Sequence, residues 1–336
     1  MDKRVTIADV AKEAGVSMMT VSRAMNNKEG ISAETRKNII DIADRLGYHP
    51  SGIARALATN QSCTIGLVMP DVANPFFAEV TKGVEDLAYR TGYNVLLVNT
   101  DEDLAREESV LNSLIEKQVD GAILISSRLQ NDKLNKYIQL FPFSVVINRD
   151  FDEIPPNCAT INVNDVLGAQ KAVAHLVSRN HKKIAFVAGP EGSVSGQRRR
   201  SGFIRGLKQN GLIFEEELIV TCKPDVEGGY QSAKKLLGEK HDVTALLGFN
   251  DLVAFGIYRA CDEMGLEIPH HIEVIGFDDI PIATLMKPSL STLKVDKRAL
   301  GQQAMKTLLK LISGDKEICI NQDFQSVLIN RESSPC

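Results

Sequence analysis

Thr6-Ile-Ala-Asp-Val-Ala-Lys-Glu-Ala-Gly15-Val-Ser17-Met-Met-Thr20-Val-Ser22-Arg23-Ala-Met-Asn26 reads as two short helices around a glycine turn. Ile7, Val10, Ala11 and Ala14 fall at i, i+3, i+4 and i+7, one apolar stripe. Thr6 is placed to cap the start of this helix. Gly15 ends it, because glycine takes the left-handed turn without steric cost. Ser17 then caps a second helix. On that helix Val21, Ala24 and Met25 point one way, and Met18, Met19, Ser22, Arg23 and Asn26 the other. Two methionines on an outer helix face suit a surface that meets something. Small polar groups, an arginine and an amide beside them suit base edges and phosphates in a major groove. An ordinary helical hairpin would share much of this pattern.

The next residues separate the two readings. Ser32 is placed to cap a third helix, and Ile39, Ile42, Ala43 and Leu46 repeat the stripe up to Gly47. Three short amphipathic helices make a small bundle that can expose its second member. Tyr48-His-Pro50-Ser51-Gly-Ile-Ala54-Arg55-Ala-Leu57-Ala58 follows. Three motifs stand in order here: Val-Ser-x-x-Thr-Val-Ser-Arg at 16–23, Leu-Gly-Tyr-x-Pro at 46–50 and Ala-Arg-x-Leu at 54–57. With them, segment 5–58 resembles the headpiece of the lactose/galactose repressor (LacI/GalR) family, and the resemblance continues to about residue 333.

The resemblance implies a ligand-controlled transcriptional regulator that binds palindromic operator DNA as a homodimer. Ser17, Thr20 and Ser22 would take phosphate or helix-end roles. Met18, Met19, Arg23 and Asn26 would read bases, with Thr6, Tyr48, Ser51 and Ala54 completing the DNA-binding set. Ser51–Ala58 is too short to hold as a helix alone in water, and is expected to fold on DNA beside the partner's copy. Leu57 resembles the family's leucine wedge, which enters a minor-groove step and kinks the duplex.

The whole chain sets bounds on this reading. At 336 residues it exceeds one typical domain. The hydrophobic share of 43% is ordinary for a globular core. No apolar run is long enough to span a membrane, and the N-terminus lacks an apolar signal region. A cytoplasmic protein is expected. The six cysteines (Cys63, Cys158, Cys222, Cys261, Cys319, Cys336) form no C-x-x-C pair and read as reduced packing residues. Net charge is −4 overall, but residues 1–60 carry +2 and the remainder −6. So small an excess makes DNA affinity depend on pairing two headpieces and on specific contacts.

From residue 62 the pattern becomes α/β. Apolar runs recur at 64–70, 94–100, 121–127, 143–150, 183–189, 245–250 and 273–278, with helical stretches between most of them. Such alternation predicts parallel sheets with helices on both faces. It occurs in two rounds, 62–160 and 162–290, and final strands at 291–295 and 325–329 would cross between lobes. The expected architecture is a small all-α helix-turn-helix headpiece plus an α/β periplasmic-binding-protein-like core of two doubly wound parallel-sheet lobes. The boundaries expected are 1–49 for the headpiece, 50–61 for hinge helix and linker, and 62–336 for the ligand-binding and dimerisation core. Within that core the first lobe takes about 62–161 plus 293–323, and the second about 162–290 plus 324–333.

Ligands of open α/β sheets sit at the carboxyl ends of strands, and that rule selects residues. Asn74-Pro75-Phe76-Phe77 follows the first strand and resembles family members in which an aromatic ring stacks on a sugar. Asn148 ends the fourth. Ser193 and Ser195 lie in the loop after Gly189-Pro190, and Arg199-x-x-Gly202-Phe203 resembles the site where sugar-binding relatives place a guanidinium on ligand hydroxyls. Asn250 and Asp278 end two later strands. An aromatic face, one arginine, amides and carboxylates match the donors and acceptors of a polyol. Strand-end Asn and Asp also commonly just cap the next helix.

Two departures from the family matter. Asn148 stands where many sugar-responsive relatives carry Asp. Ser193 and Ser195 stand where purine-responsive relatives carry a larger basic residue and a threonine, which argues against a purine corepressor. Acidic or phosphorylated sugars stay open because Arg198, Arg199 and Arg200 stand together. So does a phosphoprotein coregulator, as in the catabolite-control branch of the family. The chain has no dinucleotide or Walker fingerprint and no metal-ligand spacing. Gly192-Ser-Val-Ser-Gly196 lacks a histidine partner. No cofactor and no enzyme activity are expected. A sugar-binding protein without a regulatory role is the rival reading, but it has no need of residues 1–60. No leucine-heptad tail follows the core, so a tetramer of that kind is not expected.

Overall fold

The computed structural model describes residues 5–49, 61–239, 242–315 and 320–336. The chain divides into a helical unit up to Cys63 and an α/β unit from Thr64 onward.

The helical unit holds three helices, Ile7–Ala14, Met18–Met25 and Ala33–Leu46. Gly15 and Gly47 close the first and third in the left-handed conformation, each at φ 67°. Ser17 and Ser32 accept the backbone N–H of Thr20 and Thr35, both at 3.1 Å, and so start the other two helices. Val10, Val21, Ile39 and Ala43 are fully buried and form the centre of the bundle. Arg36 of the third helix donates to the carbonyls of Ala24 (3.2 Å) and Lys28 (2.7 Å). It thereby ties the third helix to the end of the second and to the turn that follows it. Spacing along the chain gave no sign of that contact.

The α/β unit has two six-stranded sheets. The first runs β2 (Asn94–Asn99), β1 (Thr64–Met69), β3 (Gly121–Ile125), β4 (Ser144–Ile147), β5 (Cys158–Val163), β11 (Asn321–Phe324), all parallel. The second runs β7 (Ile219–Thr221), β6 (Ile184–Ala188), β8 (Ala245–Gly248), β9 (Glu273–Asp278), β10 (Ser291–Lys294), β12 (Val327–Ile329). Only β12 is antiparallel. Each sheet is buried on both faces. In the first, Ile65, Leu67 and Met69 point into one apolar layer, and Val68 into the other with Leu114 and Leu124. That two-sided burial explains the continuous apolar runs.

β5, β7 and β11 were not among the expected strands. β5 and β11 interleave polar residues, and β7 is three residues long. The chain crosses between sheets three times: after β5, after β10 and after β11. The expected lobe boundaries need correction accordingly. β5 carries residues 162 and 163 in the first sheet. Leu293 and Lys294 pair with Phe277 and Asp278 in the second, and Phe324 pairs with Val163 in the first. Backbone pairing, invisible in local pattern, decides these residues.

After the second crossing, helix Lys297–Ser313 packs on helix Pro75–Arg90. Glycines allow the two backbones to touch. A Cβ on Gly301 would lie 2.0 Å from the Val80 carbonyl oxygen, and one on Gly83 2.2 Å from that of Arg298.

Candidate functional site

The helical unit presents one polar and apolar face on its second helix. Met18 and Met19 are 55% and 66% exposed, although both are large hydrophobic residues. Arg23 is exposed beside them, and Thr20 and Ser22 are half-buried. Val21 and Ala24 form the opposite, buried face. Ser17 and Thr20 hydrogen-bond each other through their hydroxyls at 2.9 Å, so both serve the helix start. Thr6 and Asp9 do the same for the first helix: the Thr6 hydroxyl and N–H both donate to the Asp9 carboxylate, at 2.7 and 2.9 Å. Tyr48 packs on the bundle core. Asn26 departs from the expected base-reading pose, because its amide N donates to the Ser22 carbonyl at 2.8 Å and so folds back on its own helix. Ser51, Ala54 and Leu57 lie outside the described residues.

In the α/β unit, loops at the carboxyl ends of strands from both sheets meet around a cavity of about 540 Å³. All nine residues selected from the sequence line it: Asn74, Phe76 and Phe77 after β1, Asn148 after β4, Ser193, Ser195 and Arg199 after β6, Asn250 after β8, and Asp278 at the end of β9.

Several of these also build local structure. Asn74 Oδ1 accepts the Phe76 N–H at 2.9 Å, which starts helix Pro75–Arg90 and leaves its Nδ2 donor for the cavity. Asn148 Oδ1 accepts the Val163 N–H at 3.1 Å. Ser193 Oγ accepts the Gly196 N–H at 3.2 Å. Asn250 uses both polar atoms within the protein: Oδ1 accepts the Val253 N–H (2.8 Å) and one Nδ2 hydrogen goes to the Pro224 carbonyl (3.1 Å). Phe76 and Phe77 stand edge to face, centroids 5.2 Å apart, and both belong to the core as well as to the wall.

Arg199 is the centre of the charged groups. Its Nε donates to Asp165 at 2.8 Å, and Nη1 donates to the Phe249 carbonyl at 2.5 Å. Nη2 lies 3.5 Å from Asp278. The guanidinium sits over the rings of Phe277 and Phe249, at 4.3 and 5.0 Å. Burial works to lower its pKa, but Asp165 and Asp278 hold it above the ordinary value. Burial pushes the Asp278 carboxyl above the usual carboxylate range, against the pull of Arg199 and Lys297. Asp251 is pushed further up, by burial and by Asp278 beside it. Asp278 also has an unusual backbone for a non-glycine residue, φ 105°. Its carbonyl and that of Asp279 accept the Lys297 ammonium at 2.5 and 2.9 Å. Lys297 opens the helix that follows the crossing into the first lobe, so the cavity residue is tied to the connection between lobes.

Residues 62–330 match the family model described as "Periplasmic binding proteins and sugar binding domain of LacI family". Residues 6–51 match "Bacterial regulatory proteins, lacI family". The chain belongs to the LacI family. It is 35% identical to Catabolite control protein A of Streptococcus mutans, over 95% of this chain and 96% of that protein. It is 33% identical to the HTH-type transcriptional regulator GalS of Salmonella typhimurium, over 98% of this chain and 96% of that one. Among solved structures it resembles the lac repressor dimer bound to operator and the anti-inducer ONPF, with TM-score 0.88 and 29% identity, over 99% of this chain and all of that one. The LacI-family chain is a DNA-binding transcriptional regulator and not an enzyme.

Two features of this regulator's cavity go beyond the sequence reading. The arginine triplet does not converge. Only Arg199 lines the cavity. Arg198 reaches across to Asp150 (2.6 Å) and to Asn162 Oδ1 (3.0 Å), and Arg200 pairs with Glu216. Successive residues on a helix point about 100° apart, so three in a row cannot share one target. Sequence reading also missed Asp71, Glu102, Ser126, Arg128, Asp225 and Phe249 in the wall. Asp71 and Phe249 sit at strand ends, and the same carboxyl-end rule reaches them. Glu102 and Arg128 come together only through tertiary packing. Among the described residues no group of His, Cys, Asp or Glu is arranged to hold a metal ion, and no helix is long and apolar enough to cross a membrane.

Proposed function

We propose that the regulator is a dimeric repressor of carbohydrate-utilisation genes, switched by a small sugar or sugar derivative in the interlobe cavity. The observation that carries this is the convergence of strand-end residues from both sheets on one cavity. An aromatic pair, the unshared Nδ2 donors of Asn74 and Asn148, and the Asp278 carboxylate together offer a stacking face with donors and acceptors. Such a set fits hydroxyls, each of which can both give and accept hydrogen bonds. In each headpiece Met18, Met19 and Arg23 would meet base edges, and Thr6, Ser17, Thr20, Ser22 and Tyr48 would hold phosphates or the helix ends. Asn26 joins them by turning its amide away from Ser22. Leu57, with Ser51 and Ala54, would act in the hinge.

The ligand acts by its preference for one angle between the lobes, since only differential affinity shifts such an equilibrium. Asp278 is placed to report it, because its side chain lines the cavity and its carbonyl holds Lys297. The test uses the full chain, a labelled operator fragment and a thermal-shift screen of sugars, since a bound ligand raises the melting temperature. Asp278→Ala should keep operator binding and lose the ligand response. A normal ligand titration by that variant refutes the assignment of the cavity. A phosphoprotein coregulator is the second reading, favoured by the 35% identity to a catabolite control protein. It predicts that sugars alone leave operator affinity unchanged.

A further inference from the structure

The charges of the cavity wall do not balance. Asp71, Asp101, Glu102, Asp225 and Asp278 all line it. Against them stand three cations, two of which are already engaged. Arg128 clamps Glu102 through Nε and Nη2, at 2.5 and 2.8 Å, and its Nη1 donates to the Ser126 carbonyl at 2.8 Å. The pair is mostly shielded, with side-chain exposures of 9% and 25%. A two-point guanidinium–carboxylate pair is among the strongest side-chain interactions and is not given up lightly. Arg199 is held by Asp165, Asp278 and the Phe249 carbonyl. Lys223 is the remaining lining cation, and it is exposed. The carboxylates are less well matched. Asp71 and Asp225 accept backbone N–H groups close along the chain, from Ala73 and from Gly228 in the first turn of helix Val226–Glu239. Asp101 meets Arg106 at 3.3 Å in an exposed pair, which water screens.

We propose that this cavity selects an uncharged polyhydroxylated ligand and rejects sugar phosphates and uronic acids, with Glu102 acting as the anion-excluding residue by occupying Arg128. The inference rests on the reading of the cavity as the effector site. A hydroxyl donates to a carboxylate at no charge cost. A phosphate or carboxylate entering the same wall meets surplus negative charge. It gains an arginine only by displacing a protein carboxylate from it. Specificity of this kind comes from a repulsive element as much as from an attractive one. The abundance of arginine near the cavity is therefore misleading, because the guanidinium groups are neutralised before a ligand arrives.

The experiment titrates the full chain by calorimetry and thermal shift with matched probes. Glucose, galactose, maltose and cellobiose form the neutral set; glucose 6-phosphate, galactose 6-phosphate, glucuronate and galacturonate form the anionic set. At least one neutral sugar should bind at least tenfold tighter than its anionic counterpart. Glu102→Gln frees Arg128 and should narrow that ratio at least fivefold. Asp71→Asn removes one carboxylate without touching either arginine and should narrow it in the same direction, so a folding defect in the first variant leaves the test intact. An anionic sugar that binds tighter than its neutral counterpart overturns the proposal and leaves the effector site standing. So does a ratio unmoved by both variants. No binding by any probe of either set overturns the carbohydrate reading of the cavity itself.

Discussion

Replacing Arg199 by Met keeps the length and the apolar stem of the side chain but deletes the cation between two buried carboxylates. Asp165 is 1% exposed and Asp278 6% exposed. Removing one partner of a buried pair costs about 3–5 kcal/mol, because the remaining charge stays uncompensated. The Phe249 carbonyl also loses its donor, but the two losses share one network and do not add. Urea unfolding of the ligand-free chain, followed by circular dichroism and tyrosine fluorescence, measures the effect. With a slope of about 3 kcal/mol per M, suited to a unit of this size, the midpoint should fall by about 1 M or more. The loss should depend on pH. Without Arg199 the folded-state pKa of Asp278, which burial already raises, rises further above its unfolded value of about 3.9. The penalty is then full above that raised pKa and shrinks as pH falls through it. A second change, Asp165→Asn, should recover part of the loss at neutral pH. A midpoint shift under about 0.3 M, about 1 kcal/mol at that slope, refutes the reasoning. Arg199 would then be a group free for ligand, and the charge argument for a neutral effector would lose one of its two supports.

Three further outcomes follow from the packing. Gly301→Ala should destabilise the first lobe by about 1–3 kcal/mol, since its Cβ meets the Val80 carbonyl at 2.0 Å. Gly238→Ala, in a helix with open space around it, should be neutral or stabilising by up to about 1 kcal/mol, and equal effects at the two sites would refute the close-approach argument. Burial holds His175 below the ordinary imidazole value, against the hydrogen bond with Ser334 and the charge of Glu273. The unfolded chain then binds the extra proton, so stability should fall as pH drops from the unfolded pKa of about 6.5 towards the folded one. His175→Gln should flatten that slope in urea melts between pH 5 and 8; an unchanged slope rules the residue out. Burial pushes the thiols of Cys158 up to about 11 and of Cys222 and Cys261 up to about 12, whereas Cys336 is exposed. Iodoacetamide at pH 8 should label Cys336 quickly and the other three only after unfolding, as peptide mass mapping would show.

Much of this protein is written locally. Helix caps at Ser17 and Ser32, left-handed stops at Gly15 and Gly47, and the exposed pair Met18 and Met19 all follow from a few neighbouring residues. So does the carboxyl-end rule that picked Asn74, Asn148, Ser195 and Asp278. These features depend on periodicity and on backbone sterics, which act within one turn or one strand. What the order of residues left open depends on partners distant along the chain. β5 and β11, too polar to stand out as buried strands, are made strands by pairing across 161 positions, as between Thr160 and Asn321. The glycines at 83 and 301 have meaning only where two helices touch. Above all, three adjacent arginines left an anionic effector open, and only the fold shows how each of them is engaged. Arg198 and Arg200 turn to Asp150 and Glu216, Arg199 is spent on Asp165, and Arg128 is spent on Glu102. A residue's type fixes the charge it carries, but only its neighbours in space settle whether that charge remains available to a ligand. The field falls off with distance through the fold, not with separation along the chain.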